Sequence, residues 1–180
     1  MRNRRGFTLL EIIIVLVILG ILIIIAATNF LLWLNHYSAV DFQREFLSQF
    51  SEARTRSTAS NRQHRLLIDL GAEVVTLERG DAGTGSTVWA STGTPVRGAR
   101  GAGIDSIIIT PGGTTLNSGV RAVIFNPDGQ ALIQTNIASA ATIAPLTQAD
   151  IRLSADGVGD RATIRVFGWT SKARLSNGWL

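Results

Sequence analysis

The N-terminal part of the chain is dominated by one long stretch of mainly apolar side chains. Three arginines and Gly6 precede this stretch, which extends over residues 7–34. One carboxylate, Glu11, lies near its start, and the sixteen residues 12–27 carry no polar side chain. A helix needs about 20 apolar residues to cross the hydrocarbon core of a bilayer. The pattern therefore predicts a single membrane-spanning helix over residues 7–34.

The flanks of this stretch predict how it lies in a membrane. A cleavable secretory signal has an apolar core of only about 7–15 residues, and a small-residue cleavage site follows that core. Here the run is longer, and Gly6 lies before it rather than after it. The arginines ahead of Gly6 predict that the N-terminal end stays in the cytoplasm. We therefore expect a single-pass inner-membrane protein whose remaining chain lies on the periplasmic side.

After Leu34 the apolar residues recur at steps of three and four, with polar residues at most positions between them. The residues of this stripe are Ala39, Phe42, Phe46, Phe50 and Ala53. Such spacing is typical of an amphipathic helix whose apolar face packs on other elements. We therefore predict that helix continues over residues 35–60 and that the phenylalanines pack on a sheet.

Beyond residue 60 the pattern changes to short apolar runs between turn residues. Two of these runs flank residues 126–129, where Asn is first, Pro second and Gly fourth, as is typical of a type I turn. Such runs predict antiparallel strands joined as hairpins. The predicted strands cover residues 65–70, 73–78, 104–110, 121–125, 131–134, 151–154 and 162–167. Residues 80–103 predict a long loop with at most a short strand at Val88–Trp89, and residues 136–149 show no clear pattern.

A long helix followed by short antiparallel strands predicts an α+β fold. The membrane anchor continues into the amphipathic half of the helix, which packs on an antiparallel β-sheet domain. We divide the chain into a leader (residues 1–6), a membrane helix (7–34), an amphipathic helix (35–60) and a β-rich ectodomain (61–180).

The composition of the chain limits which kinds of binding and catalysis the protein can carry out. The chain has 17 Lys and Arg against 13 Asp and Glu, a net charge of +4. Because three arginines lie in residues 1–6, the rest of the chain carries about +1. Any binding of nucleic acid must therefore depend on a local cluster of basic residues. The chain has no cysteine, which excludes thiol nucleophiles and cysteine-ligated zinc.

No catalytic or metal-binding pattern is evident. His36 and His64 are the only histidines, and their spacing suggests no metal site. Residues 80–86 are glycine-rich but lack the Gly-Lys-Ser/Thr of a phosphate-binding loop. Asp156 and Asp160 fall short of the six to eight oxygen ligands of Ca²⁺. We predict no enzymatic activity, no catalytic residue, no metal and no cofactor.

Residues 6–11, Gly-Phe-Thr-Leu-Leu-Glu, resemble the class III leader of type IV pilins and of the pseudopilins of type II secretion. The resemblance implies that prepilin peptidase cleaves after Gly6 and that the new N-terminal residue, Phe7, is methylated. It also implies that Glu11 meets the terminal amine of a neighbouring subunit and so sets the register of a filament. The alternative is an ordinary signal anchor that carries these residues by chance.

Two internal segments are similar to the GspH/FimT branch of pseudopilins. Residues 51–55 resemble its Ala/Arg-rich segment at the end of the helix, and residues 125–129 resemble its Phe-x-Pro-x-Gly hairpin. The resemblance implies a minor pseudopilin that joins other pilins in a type II secretion pseudopilus or a type IV pilus. Many pilins have proline near the position of Thr28, so we expect a straighter N-terminal helix here.

The C-terminal segment carries the strongest candidate for binding DNA. Lys172 and Arg174 alternate, so in a strand both point to one face, and Trp169 and Trp179 lie nearby for base stacking. FimT-like pilins that take up DNA have a C-terminal Gly-Arg-x-Arg motif implicated in DNA binding. Lys172 and Arg174 align with its two arginines, whereas Ser171 replaces its glycine. A solvated edge strand without a ligand is the alternative.

Overall fold

The computed structural model describes residues 9–99, 101–155 and 159–179, so Gly6 and Phe7 lie outside the described residues. The chain divides after Leu34 into two compact units. Helix α1 extends from Leu9 to Ser60 and therefore contributes to both units. We describe each unit separately.

The first unit is the apolar half of α1. Its large apolar side chains, from Leu9 to Trp33, are between 48% and 76% exposed. By length and composition, α1 is the one helix among the described residues that could span a membrane. At Thr28 the helix continues without a break, and the Thr28 hydroxyl donates to the Ile25 carbonyl at 3.0 Å. Asn29 Nδ2 donates to the same carbonyl at 3.1 Å, so both polar side chains have partners within the helix.

In the second unit, one stripe of α1 is buried. The buried residues are Ala39, Phe42, Gln43, Phe46, Phe50, Ala53 and Ser57. The phenylalanine rings stack along the stripe, with centroids 5.9 Å apart for Phe42 and Phe46 and 5.3 Å apart for Phe46 and Phe50. Phe50 meets the edge of Phe125, a strand residue, at 6.0 Å. The predicted packing of the amphipathic half on the β-sheet domain is therefore confirmed.

The end of α1 is held to the sheet by a polar contact. The Ser57 hydroxyl is fully buried and donates to the Phe125 carbonyl at 2.8 Å. Directly after Ser60, Asn61 has a φ of 51°, in the left-handed region. Asn tolerates this conformation better than most residues, and it commonly ends helices. The helix therefore ends where a buried anchor and a helix-ending residue follow each other.

Among the described residues of this unit, twelve strands form two antiparallel sheets. The first sheet contains β1 (His64–Asp69), β2 (Val74–Gly80), β3 (Trp89–Ser91), β4 (Val96–Arg97), β7 (Val120–Phe125), β8 (Ala131–Gln134) and β9 (Ile143–Pro145). Its order is β3-β2-β1-β7-β8-β9, and β4 also pairs with β2. The second sheet contains β5 (Ala102–Thr110), β6 (Thr114–Leu116), β10 (Gln148–Ala155), β11 (Arg161–Phe167) and β12 (Lys172–Asn177), in the order β12-β11-β10-β5-β6.

One hydrophobic core joins the amphipathic half of α1 to both sheets. Phe46 and Phe50 of α1, Leu66 of β1, and Ile151 and Ile164 of the second sheet all belong to it, and all five are fully buried. Burying one such side chain contributes about 1.5–3 kcal/mol to folding. The predicted α+β architecture is therefore confirmed.

The turn at residues 126–129 joins β7 to β8 as predicted. Gly129 N donates to the Asn126 carbonyl at 3.1 Å, and Asn126 N donates to the Gln130 carbonyl at 2.8 Å. Gly129 has a φ of 90°, which favours glycine over residues with a side chain.

The two segments without a clear pattern contain more structure than predicted. Residues 80–103 hold β3 and β4, both paired with β2, as well as the first two residues of β5. Residues 136–149 hold a 3-10 turn at Ala140–Thr142, strand β9 and the start of β10. The short strands β3, β4 and β9 have two or three residues each, too few for an alternating pattern. The prediction of a long loop over residues 80–103 was therefore wrong in part.

Candidate functional sites

Glu11 lies in the first described turn of α1. A carboxylate at this end of a helix is favoured by the helix dipole, which lowers the cost of placing it in a membrane. Phe7, whose amine is its predicted partner in a neighbouring subunit, lies outside the described residues. The pairing therefore stays a prediction.

Lys172 and Arg174 are exposed on the edge strand β12 and share one of its faces. On the neighbouring strand, Phe167 lies opposite Lys172 and Arg165 lies opposite Arg174. Arg165, Phe167, Arg174 and Ser176 line an open cleft of about 270 Å³. The structure therefore adds two residues of β11 to the two predicted cations.

The charge of Arg165 is balanced by Asp150 on β10. Arg165 Nε donates to Asp150 Oδ1 at 2.7 Å, and Nη2 donates to Oδ2 at 2.8 Å. This two-pronged contact raises the pKa of Arg165 above its ordinary value. Arg165 thus brings little net charge to the cleft, and Lys172 and Arg174 supply positive charge beside it.

The two tryptophans lie at opposite ends of β12. Trp169 is in the turn before the strand and is 71% exposed, close in sequence to Lys172. Trp179 follows the strand, and its indole Nε1 donates to the Leu153 carbonyl at 3.2 Å. The guanidinium groups of Arg161 and Arg152 lie over its ring, 4.3 and 5.1 Å from the centroid. Trp169 is therefore available for stacking, whereas the Trp179 ring is already in contact with two arginines.

Ser171 shows why a glycine suits the position before the two cations. Its φ is 49°, in the left-handed region that glycine adopts most easily. Ser171 is buried, and its hydroxyl donates to the Gly129 carbonyl at 2.6 Å. This hydrogen bond fixes the β11–β12 turn to the β7–β8 turn, and it offsets part of the backbone strain.

Sequence reasoning missed Arg165 and Phe167. The alternation of side chains along β11 could have indicated both residues. It places four residues on one face of the strand: Arg161, Thr163, Arg165 and Phe167. The pairing of β11 with β12 puts that face on the same side of the sheet as Lys172 and Arg174.

The two histidines have separate environments. His36 Nδ1 and Asp160 Oδ2 are 2.6 Å apart. His64 is buried, and burial lowers its pKa below the ordinary value of 6.5. Within the described residues, no group of three or more His, Asp or Glu is placed to hold a metal ion.

An ordered loop surrounds Asp81 in the glycine-rich segment. The backbone N–H groups of Thr87 and Val88 donate to Asp81 Oδ1 at 3.0 and 3.2 Å. These donors, with that of Val88 contributing most, lower the pKa of Asp81 below its ordinary value of 3.8. The carboxylate therefore shapes the loop.

Comparisons with known proteins support the predicted kind of N-terminal segment and the observed fold. Residues 1–27 match the prokaryotic N-terminal methylation motif. The fold is similar to the solved structure of the minor pseudopilin EpsH from the Type 2 Secretion System of Vibrio cholerae, with a TM-score of 0.51 and 12% sequence identity. The similarity covers 78% of this chain and 97% of that one. No curated protein matches the chain in sequence. The methylation motif thus covers the N-terminal segment alone, and the similarity to EpsH shows the fold.

Proposed function

We propose that the protein is a minor pseudopilin, a non-enzymatic structural subunit of a type II secretion pseudopilus or a type IV pilus. Prepilin peptidase cleaves it after Gly6, and Phe7 is methylated. Before assembly it lies in the inner membrane as a single-pass protein, with its N-terminus in the cytoplasm and residues 35–180 in the periplasm. The observation that carries this proposal is the methylation motif over residues 1–27, which includes most of the exposed apolar half of α1.

The exposed apolar half of α1 explains how one subunit serves in a membrane and in a filament. An apolar surface of this length is stable in lipid or against the helices of neighbouring subunits. At the centre of a membrane a carboxylate costs about 2.5–3.5 kcal/mol, and the helix N-terminus reduces that cost for Glu11. We propose that the free amine of Phe7 in a neighbouring pilin-like subunit balances the Glu11 charge in the filament.

Mass spectrometry of the mature protein tests this function. Produced in cells with active prepilin peptidase, the chain is expected to begin at N-methyl-Phe7. The same chain from cells without the peptidase is the control and should keep residues 1–6. An intact leader in the presence of the peptidase contradicts the proposal.

A second candidate function is the capture of DNA by the same scaffold during uptake. The exposed face formed by Lys172, Arg174 and Phe167, with Trp169 in the preceding turn, favours it. Two cations can contact phosphates and an exposed aromatic ring can stack on a base, whereas neither reads the sequence of bases. We therefore propose that any DNA contact here is salt-dependent and independent of sequence.

A further inference from the structure

Strand β12 ends the second sheet, and one of its edges has no neighbouring strand among the described residues. Just beyond the strand, Gly178 N donates to the Arg161 carbonyl at 2.8 Å. Hydrogen-bonded and non-hydrogen-bonded pairs alternate along an antiparallel ladder, so this bond fixes which way each backbone group of β12 points. The even-numbered residues of β12 bond to β11. The N–H and C=O groups that point away from β11 belong to three residues: Ala173, Leu175 and Asn177.

The free edge of β12 is long enough to bind another strand. β12 has six residues, whereas β3, β6 and β9, at other edges of the two sheets, have three residues each. Within the described part of the chain, the outward groups of β12 take no part in the backbone hydrogen bonds of turns and loops. A row of unpaired N–H and C=O groups can bond to an extended peptide, which then continues the sheet.

A cavity of about 420 Å³ lies beside this edge, on the face of β12 that carries Leu175 and Asn177. Val40 of α1 also lines the cavity, so Val40 and Leu175 give it an apolar part. Leu175 is only partly buried, although Ile164, which lies opposite it on β11, is fully buried. Side chains of a strand alternate between the two faces of a sheet. Every second side chain of a strand added to β12 would therefore face this cavity.

The other face of β12 carries Lys172 and Arg174, both exposed. Neither forms an ion pair among the described residues, whereas Arg165, opposite Arg174, is paired with Asp150. A carboxylate on this face of an added strand would lie beside the two cations, which is favourable. A second copy of β12 paired edge to edge would instead bring four like charges together on one face. The charges therefore favour an acidic strand over a second copy of this chain.

We propose that the free edge of β12 binds an extended segment of a partner protein as an added antiparallel strand. Acidic and apolar residues alternate in this segment. Its acidic side chains lie beside Lys172 and Arg174, and an apolar side chain enters the cavity against Val40 and Leu175. The site lies wholly within residues 35–180 and goes beyond the function proposed above.

Fluorescence anisotropy of labelled peptides tests this site on the full chain in a non-ionic detergent. The probe is an acetylated peptide of about ten residues, the upper length of a common strand, in which Glu and Val alternate. One control peptide has Lys in place of Glu, and another has Thr, which is similar in shape but polar, in place of Val. Both controls are expected to bind at least about tenfold more weakly. Equal binding of all three peptides overturns the proposal.

Methylation of the peptide backbone separates strand addition from attraction between charges. The N–H groups of successive strand residues point to opposite edges, so methyl groups on every second nitrogen block one edge only. In the proposed complex the Val residues face the cavity, and their N–H groups bond to β12. N-methylation of the Val residues should therefore abolish binding, whereas N-methylation of the Glu residues should preserve it. Equal affinity of these two peptides, which have the same charge, overturns the proposal.

A charge-reversed protein gives a second test. Lys172→Glu combined with Arg174→Glu should reverse the preference, so that the Lys–Val peptide binds more tightly than the Glu–Val peptide. Arg54→Glu combined with Arg97→Glu changes the net charge equally at exposed positions outside the site, and it should keep the wild-type preference. The same preference in both double variants contradicts the proposal. The methylated peptides test the wild-type chain, so that test stands even if the β12 variant fails to fold.

Short duplex DNA in the same titration separates this proposal from the DNA-binding candidate. A duplex that binds through Lys172 and Arg174, in a protein that binds none of the peptides, assigns the two cations to DNA and overturns the proposal. Binding of the Glu–Val peptide with the expected effect of methylation supports it. Neither result depends on cleavage after Gly6, so the titrations and the mass spectrometry of the N-terminus can fail separately.

Discussion

The two halves of α1 are one continuous helix with opposite surroundings. From Leu9 to Trp33, apolar side chains cover all sides of the helix, and each of the large ones is at least 48% exposed. From Ala39 to Ser57, one stripe is buried and polar residues occupy most of the remaining surface. An all-round apolar helix suits lipid or a helix bundle, whereas a stripe suits the surface of a folded domain. The halves therefore differ in what must cover them.

The buried stripe should therefore affect the stability of the folded unit, whereas the exposed apolar half should affect membrane insertion and assembly. The buried stripe contributes to the folding of the second unit through ring contacts among Phe42, Phe46 and Phe50. The exposed apolar half makes no comparable contribution within one subunit, because its side chains remain uncovered there. Substitutions in the stripe should lower the free energy of unfolding, and those in the apolar half should act on membrane insertion or on contacts between subunits.

The largest expected effect is that of Phe46→Ala. Phe46 is fully buried, so its truncation leaves a cavity and should lower the free energy of unfolding by about 3–5 kcal/mol. Leu16→Ala, in the exposed half, is the matched control and should change it by less than about 0.5 kcal/mol. Urea denaturation of the full chain in detergent, followed by near-UV circular dichroism, measures both. Equal destabilisation by the two variants contradicts the comparison.

Glu11→Ala should preserve the fold and membrane insertion but impair assembly. Removing a carboxylate makes insertion cheaper, whereas the proposed pairing with a neighbouring Phe7 amine is lost and that amine is left uncompensated. We expect at least about a tenfold loss of incorporation into filaments, which corresponds to 1.4 kcal/mol. Quantitative immunoblots of sheared filaments and of membranes measure the two steps.

Glu45→Ala is the control for that experiment, because Glu45 is an exposed carboxylate in the amphipathic half of the same helix. It should assemble as wild type. Normal assembly of Glu11→Ala would remove the role proposed for Glu11.

The edge strand β12 gives a third prediction, which concerns the DNA-binding candidate. Lys172→Gln combined with Arg174→Gln should weaken the binding of short duplexes by residues 35–180. The dependence of log K on log salt should become flatter by about 1.8, because each lost phosphate contact contributes about 0.9. Arg97→Gln removes an exposed arginine of the first sheet and is the control.

Titrations at several salt concentrations measure that slope. If the wild-type domain does not bind at low salt, or if the double variant keeps the wild-type slope, β12 is a solvated edge strand.

The sequence predicted those features that depend on neighbouring residues. The long apolar helix, the phenylalanine stripe and the turn at residues 126–129 each have a pattern within a few residues. Strands β3, β4 and β9 do not, since each is formed by pairing with a strand elsewhere in the chain. The alternation of Lys172 and Arg174 likewise predicted their shared face.

The other residues of the β12 site could not be predicted from the sequence, because their position depends on the order of the strands in the sheet. Only the pairing of β11 with β12 brings Arg165 and Phe167 beside the two cations. Similarly, Trp179 meets Arg161 and Arg152 because β10 and β11 are neighbours in the second sheet.

His64 predicts a modest dependence of stability on pH. In the folded protein the pKa of His64 lies below 6.5, so the buried ring stays neutral while the unfolded chain binds a proton. The free energy of unfolding should therefore fall as the pH is lowered from about 6.5 through the folded pKa. His64→Asn keeps a donor for the Arg62 carbonyl, which is 3.2 Å from Nδ1, and should lose this dependence.

His36→Gln is the control for that pH series, because His36 is exposed and should leave the contribution of His64 in place. Urea denaturation at several pH values between 5 and 7.5 measures the slope. The same slope in His64→Asn and wild type would assign the effect to other groups.

The smallest expected effect concerns Ser171, where backbone strain and a hydrogen bond oppose each other. A left-handed residue other than glycine costs about 1–2 kcal/mol, and the bond from the Ser171 hydroxyl to the Gly129 carbonyl contributes about 0.5–1.5 kcal/mol. Ser171→Gly relieves the strain but loses the bond and gains freedom in the unfolded chain. Its free energy of unfolding should therefore lie within about 1 kcal/mol of the wild type.

Ser171→Ala sharpens this prediction, because it loses the same hydrogen bond while the backbone keeps a φ of 49°. Its free energy of unfolding should be lower than that of Ser171→Gly by about 1 kcal/mol, the difference that the left-handed conformation makes. Urea denaturation of residues 35–180 carrying each substitution measures the difference. Equal stability of the two variants would show that the turn relaxes and that its glycine-like conformation places no constraint on the residue before Lys172.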